Sequence, residues 1–238
     1  MKTLSIVSLT IVGLVSLSRA ETKSTLLDKN TPVEVVETSF AGKTFDFENY
    51  EKGELPQGWS QYVTGNGDEP DWQIVDDNGN KVLAQLSNNN PNYHFNDVIF
   101  DGLEAKNVEM KVRLKGVAGK LDQGGGFIWR FTDKDNYYVV RANPLEDNVV
   151  LYKVENGKRT DLPLVGKGKT YGVETGPLGH GWNDLKLIVK DNLFTIYLND
   201  TELFKVEDTT FTGKGKVGLW TKADAVSYFD DFEVLVTD

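Results

Sequence analysis

The side chains best suited to chemistry sit inside apolar runs that would fold without them. In the stretch GGGFIWRFTDKDNYYVVRANPLEDNVVLYKVENGKRTDL, Arg130 stands between Trp129 and Phe131, and Arg141 follows Val140. Arginine presents N–H donors in a fixed planar fork, and aromatic rings offer flat apolar faces. Together they suit a sugar, whose hydroxyls take paired hydrogen bonds and whose C–H faces stack on rings. The expected ligand platform is Arg130, Tyr138, Arg141, Asn143 and Trp220, on one face of a sheet.

Catalytic constellations are harder to find. Glycoside cleavage needs two positioned carboxylates, and with 36 Asp and Glu residues counting them decides nothing. Glu146 and Asp147, in the loop after Asn143, are the first acids to test. The two histidines, His94 and His180, are expected in loops, without the ligand spacing of a zinc site. No Gly-x-Ser-x-Gly elbow marks a nucleophile. The chain has no cysteine, which removes thiolate chemistry, thiolate zinc sites and disulfides. No organic cofactor is indicated.

Strands must position these residues. Three runs rich in aromatic and β-branched residues, 127–131, 137–141 and 149–154, are separated by turn signals, and Asn156-Gly157 closes the third. Strand side chains alternate between faces. Arg130 is therefore expected beside Ile128, and Trp129 beside Phe127 and Phe131. Val108, Met110, Val112 and Leu114 alternate with Glu109, Lys111 and Arg113 in the same way. Leu185–Lys190, Phe194–Leu198 and Leu203–Val206 form a second meander. About a dozen short strands with turns every ~8–12 residues imply an all-β protein, a two-sheet antiparallel jelly-roll sandwich. Trp59, Trp72, Trp129 and Trp182 read as core anchors.

The net charge of −10 disfavours nucleic acid and anionic membrane surfaces as partners. Residues 1–20 read as a signal peptide, with Lys2, an apolar segment and the Ser18-Arg19-Ala20 cleavage pattern. Residues 21–38 read as a linker and 39–238 as the folded domain. The expectation is a secreted or periplasmic protein with no membrane association after cleavage.

The central stretch, together with HGWNDLKLIVKDNLFTIYLNDTELFKVEDTTF and GKVGLWTKADAVSYFDDFEV, resembles secreted bacterial concanavalin A-like (laminin G-like) jelly-roll domains. Within these it is most similar to the 3-keto-disaccharide hydrolase domain family, also described as family 16 glycoside hydrolase-like. The resemblance implies a concanavalin A-like sandwich with a glycan on its concave sheet. It also implies a structural Ca²⁺ held between the first and last strands, here by Glu48 and Asp230. The Glu-x-Asp-x-Glu strand motif of true family 16 hydrolases is absent. A lectin-like carbohydrate-binding domain is the leading expectation. A hydrolase of a disaccharide or glycoside, 3-keto sugars included, is the second, and a structural or adhesive envelope protein without catalysis the third.

Overall fold

Alternation of apolar and polar residues builds the framework, and the computed structural model describes it for residues 42–238. The signal-peptide and linker readings lie outside the described residues. Sixteen strands follow one another. They are β1 (Gly42–Phe45), β2 (Trp59–Gly65), β3 (Trp72–Asp77), β4 (Asn80–Gln85), β5 (His94–Ala105) and β6 (Val108–Ala118). The central meander is β7 (Gly125–Asp133), β8 (Asn136–Asn143), β9 (Asn148–Glu155) and β10 (Lys158–Asp161), and a short β11 (Val173–Glu174) follows. The chain ends with β12 (Asn183–Lys190), β13 (Leu193–Leu198), β14 (Thr201–Glu207), β15 (Gly215–Lys222) and β16 (Val226–Val236).

Two antiparallel sheets form a sandwich. The first runs β14-β13-β12-β6-β16-β4-β3, with β1 also paired to β16. The second runs β10-β9-β8-β7-β15-β5-β2, with β11 paired to β9. Between them lies the main core, where Met110, Val112 and Leu114 of β6 meet Phe127, Trp129, Tyr138 and Val140 of the second sheet. Trp59, Trp72 and Trp129 belong to this core. Trp182 does not. It is half-buried on the outer face of the first sheet, with the Arg113 guanidinium and the Lys115 ammonium each 5.0 Å from its ring centroid.

The second sheet is strongly coiled and carries a second apolar cluster on its other face. Phe95, Ile99, Ile128, Phe131, Tyr137, Val139, Val150, Tyr152, Val154 and Trp220 pack there. Cross-strand register gives one reason for the coil. Gly218 lies in line with Ile99 and Ile128, and Gly126 lies in line with Trp220 and Arg141, so the middle of that face carries two missing side chains. Glycine inside a strand permits a tight bend. The coil brings distant strands together. Tyr93, just before β5, donates its hydroxyl to the Gly157 carbonyl in the β9–β10 turn at 2.9 Å. Tyr62 of β2 meets Phe131 of β7 at 5.2 Å between ring centroids. The concave face is thus largely filled by its own side chains.

Candidate functional site

The five platform candidates divide between two environments. Arg130 and Tyr138 lie on the inner side of the second sheet. A β-bulge interrupts β7 after Trp129, and Arg130 occupies the left-handed region at φ 49°. The extra residue returns Phe131 to the concave cluster beside Ile128, where strict alternation had put it with Trp129. It also swings Arg130 out of line. Its guanidinium donates to the main-chain carbonyls of Lys106 (3.2 and 3.3 Å), Phe211 (2.5 Å) and Asp191. Every nearby acceptor is backbone, so Arg130 ties three loops together and presents nothing to a ligand. Burial pulls its pKa below the ordinary arginine value. Tyr138 stacks on Trp129 at 5.4 Å and donates to Asp208 at 2.5 Å while accepting from the Phe211 N–H. Burial and the Asp208 bond push its phenol well above the usual range.

Arg141, Asn143 and Trp220 do share the concave side. Arg141 is buried and donates to the Asn148 carbonyl at 3.2 Å, the Asn148 side-chain oxygen, Glu146 at 2.7 Å, and the hydroxyls of Tyr152 and Tyr171 at 3.3 and 3.4 Å. Asn143 donates to Asp122 at 3.1 Å, and Lys222 reaches the other oxygen of Asp122 at 3.2 Å. Trp220 is fully buried, and its indole N–H finds no acceptor among the described residues. Glu146 is therefore the counter-ion of Arg141. Asp147, at φ 49°, caps the Leu178 N–H at 2.9 Å in the neighbouring loop.

Beneath the same face lies a polar trio that sequence reading missed. Asp97 is fully buried beside Thr64 (3.0 Å) and Tyr137 (3.4 Å). Burial pushes its carboxyl well above the ordinary aspartate value. Its only sequence signal is a charged residue two places after a buried Phe95 in a strand.

The open part of the concave side is a cleft of about 480 Å³. Tyr62 and Phe131 form its aromatic floor. Glu104, Asp133, Lys134, Lys214 and Lys216 surround it, with the Thr132 hydroxyl. Lys216 is anchored by Asp101 at 2.7 Å, which raises its pKa, and Ser60 donates to the same carboxylate at 2.5 Å. Asp133 accepts from the Asp135 N–H and the Asn136 amide, holding the β7–β8 turn. None of these residues belonged to the expected platform. Tyr62 was missed because β2 reads as a turn around Pro56-Gln57-Gly58, and Phe131 because the bulge is invisible to a period of two.

The remaining expected residues stand apart from the cleft. Glu48 accepts from the Lys81 N–H at 3.0 Å, and Asp230 accepts from Asn80 at 2.8 Å and Arg113 at 3.4 Å. Burial raises the Asp230 pKa, offset in part by the Asn80 bond. No group of three or more His, Asp or Glu able to hold a metal occurs among the described residues. His94 opens β5 and is buried between the Asn66 carbonyl (3.0 Å) and the Asn96 side-chain oxygen (2.8 Å). His180 is exposed near Lys115 and Tyr228 on the first sheet. The two histidines therefore do not share a site.

No protein-family model matches the chain, and no curated protein does. Solved structures do. The carbohydrate-binding module CBM66 from Bacillus subtilis superposes with a TM-score of 0.53 at 18% identity, over 74% of this chain and 94% of that one. The cellulose-induced protein Cip1 gives 0.56 at 12% identity, over 82% and 97%. The GH43 protein BlXynB from Bacillus licheniformis gives 0.52 at 14% identity, over 82% of this chain and 39% of that one. These likenesses establish the β-sandwich fold. None of these comparisons supports the expected membership of the 3-keto-disaccharide hydrolase domain family.

Proposed function

We propose that this chain is a secreted carbohydrate-binding domain that receives a saccharide at the concave side of its second sheet. The observation that carries the reading is the cleft floored by Tyr62 and Phe131 and rimmed by charged and hydroxyl groups. Its volume falls within the range of roughly 300–1,000 Å³ usual for small-ligand sites. Two rings supply the apolar stacking surface that a pyranose or furanose face needs. Lys134, Lys214 and Lys216 supply donors, and Glu104 and the Thr132 oxygen, whose proton goes to the Asn136 carbonyl, supply acceptors. The sandwich shared with a named carbohydrate-binding module supports the same reading, and the signal-peptide pattern of residues 1–20 supports export.

A glycan-array screen of the domain beginning at Ser39 tests it. Retention of a defined glycan set, weakened at least about tenfold by Tyr62→Ala, is the expected result, since losing one stacked ring removes roughly 1.5 kcal/mol. Wild-type binding that Tyr62→Ala leaves intact would move the site elsewhere.

A second reading has one observation behind it. Glu104 and Asp133 both line the cleft, and glycoside hydrolysis uses a carboxylate pair. Release of reducing sugar from a bound glycan, abolished by Glu104→Gln, would select the enzyme over the binding module.

A further inference from the structure

One cation on the concave side has no counter-ion. Arg159 of β10 is half-buried, yet its guanidinium makes no hydrogen bond and no ion pair among the described residues. It lies instead over three rings, with its carbon 4.3 Å from the Tyr152 centroid, 5.0 Å from Phe95 and 5.9 Å from Trp220. The chain carries 36 acidic against 26 basic residues. Arg113 and Arg141 have both found carboxylates. Contact with ring faces spends none of the guanidinium donors. The backbone holds it as well. The Arg159 N–H donates at 2.8 Å to Tyr93, whose own hydroxyl is committed to Gly157.

The neighbouring polar group is also a donor. Tyr152 donates its hydroxyl proton to the Tyr171 oxygen at 2.8 Å, and Arg141 donates to both phenol oxygens. With two donors already on its oxygen, Tyr171 has its own proton free, and the residue is half exposed. Glu146 neutralises Arg141, and Asp161, the register partner of Tyr152 on the same face, makes no ion pair with Arg159 among the described residues, so the donors of the Arg159 fork are left unengaged. A guanidinium with all its donors free, next to the free Tyr171 proton, can satisfy more acceptors than a single neutral hydroxyl offers. It favours an acceptor-only anion, and the guanidinium fork matches a carboxylate in bidentate geometry.

We infer that Arg159, assisted by Tyr171, receives a carboxylate of the bound saccharide, so that the ligand is a glycan containing uronic acid. Neither residue lines the cleft at Tyr62 and Phe131, so the inference rests on the proposed glycan site and on the saccharide extending beyond that cleft along the concave side.

The test is an array carrying uronate-containing oligosaccharides, their carboxyl-reduced counterparts and sulfated oligosaccharides. It is read with wild type, Arg159→Met, Arg159→Lys and Tyr62→Ala. Met keeps an apolar cover on the three rings and removes the donors, and thermal unfolding checks that each variant folds. The expected result is uronate binding that falls about ten- to a hundredfold on carboxyl reduction and by a similar factor in Arg159→Met, as for loss of a charge-assisted hydrogen bond. Arg159→Lys keeps part of the affinity, and Tyr62→Ala weakens acidic and reduced glycans alike. If reduced and acidic forms bind equally, if sulfated glycans are preferred, or if folded Arg159→Met binds uronates as wild type does, the carboxylate role is wrong while glycan binding stands. If wild type retains no oligosaccharide of any class, the proposed function falls and this inference falls with it.

Discussion

Thr64 has one hydroxyl proton and three oxygen neighbours. These are the Lys134 carbonyl, the Tyr137 hydroxyl at 2.9 Å and Asp97 Oδ2 at 3.0 Å. Thr64 donates to Asp97 Oδ2, and Tyr137 donates to Asp97 Oδ1 at 3.4 Å. Burial outweighs these two bonds and raises the Asp97 pKa well above the ordinary aspartate value. The sign of the pH dependence follows. Below the unfolded value of 3.8 both states are protonated. Above it the unfolded chain releases the proton and the folded one keeps it, so this stability contribution is lost as pH rises toward the raised native value. Asp97→Asn removes the titration and keeps an amide oxygen as acceptor for Thr64. Thermal unfolding followed from about pH 4 upward should show the variant gaining on wild type; a constant difference would mean that the Asp97 pKa is not raised in the fold. Arg130→Met makes a second case at this scale. It removes the donors from the part-buried carbonyls of Lys106, Asp191 and Phe211, which water can reach in part. Denaturant unfolding should register a loss of about 1–3 kcal/mol, while glycan retention by the folded fraction stays unchanged.

At the level of single strands, local pattern was a good guide wherever the ladder is regular. The runs at 127–131, 137–141 and 149–154 lie inside β7, β8 and β9, and β6 buries Val108, Met110, Val112 and Leu114 as its alternation requires. The site was legible only in part. Arg141, Asn143 and Trp220 reach the concave side, but the bulge at Arg130 moves Phe131 across the sheet and hides Arg130. Nothing in Trp129-Arg130-Phe131 announces an extra residue, because a bulge is set by what the partner strand offers. Arg159 escaped for a different reason. Beside Asn156-Gly157 it looks like turn chemistry, and only the coil of the sheet lays it over Phe95 and Trp220. That coil depends on Gly126. A Cβ there would stand 1.9 Å from the Val140 carbonyl oxygen, which is main chain and has nowhere to go. Gly126→Ala should cost about 3 kcal/mol or more, at the upper end of overpacking penalties. A melting temperature within a degree or two of wild type would show that β7 and β8 separate more easily than their register implies.

Across the whole molecule, the last two strands hold the two layers together. β15 lies between β7 and β5 in the second sheet, and β16 lies between β6 and β4 in the first. Removing residues 226–238 would therefore split the first sheet down its middle, expose Leu114 and Leu83 on either side, and take Phe229, Phe232 and Val234 from the core. Circular dichroism of that truncation should show no cooperative unfolding transition. The same placement also governs timing. A chain made from its N-terminus at about 5–20 residues per second spends roughly 10–50 s growing with the central slot of each sheet vacant. Neither sheet can complete its ladder until residues 215–236 have been made, so cooperative folding of the domain waits on the strands that are synthesised last of the sixteen.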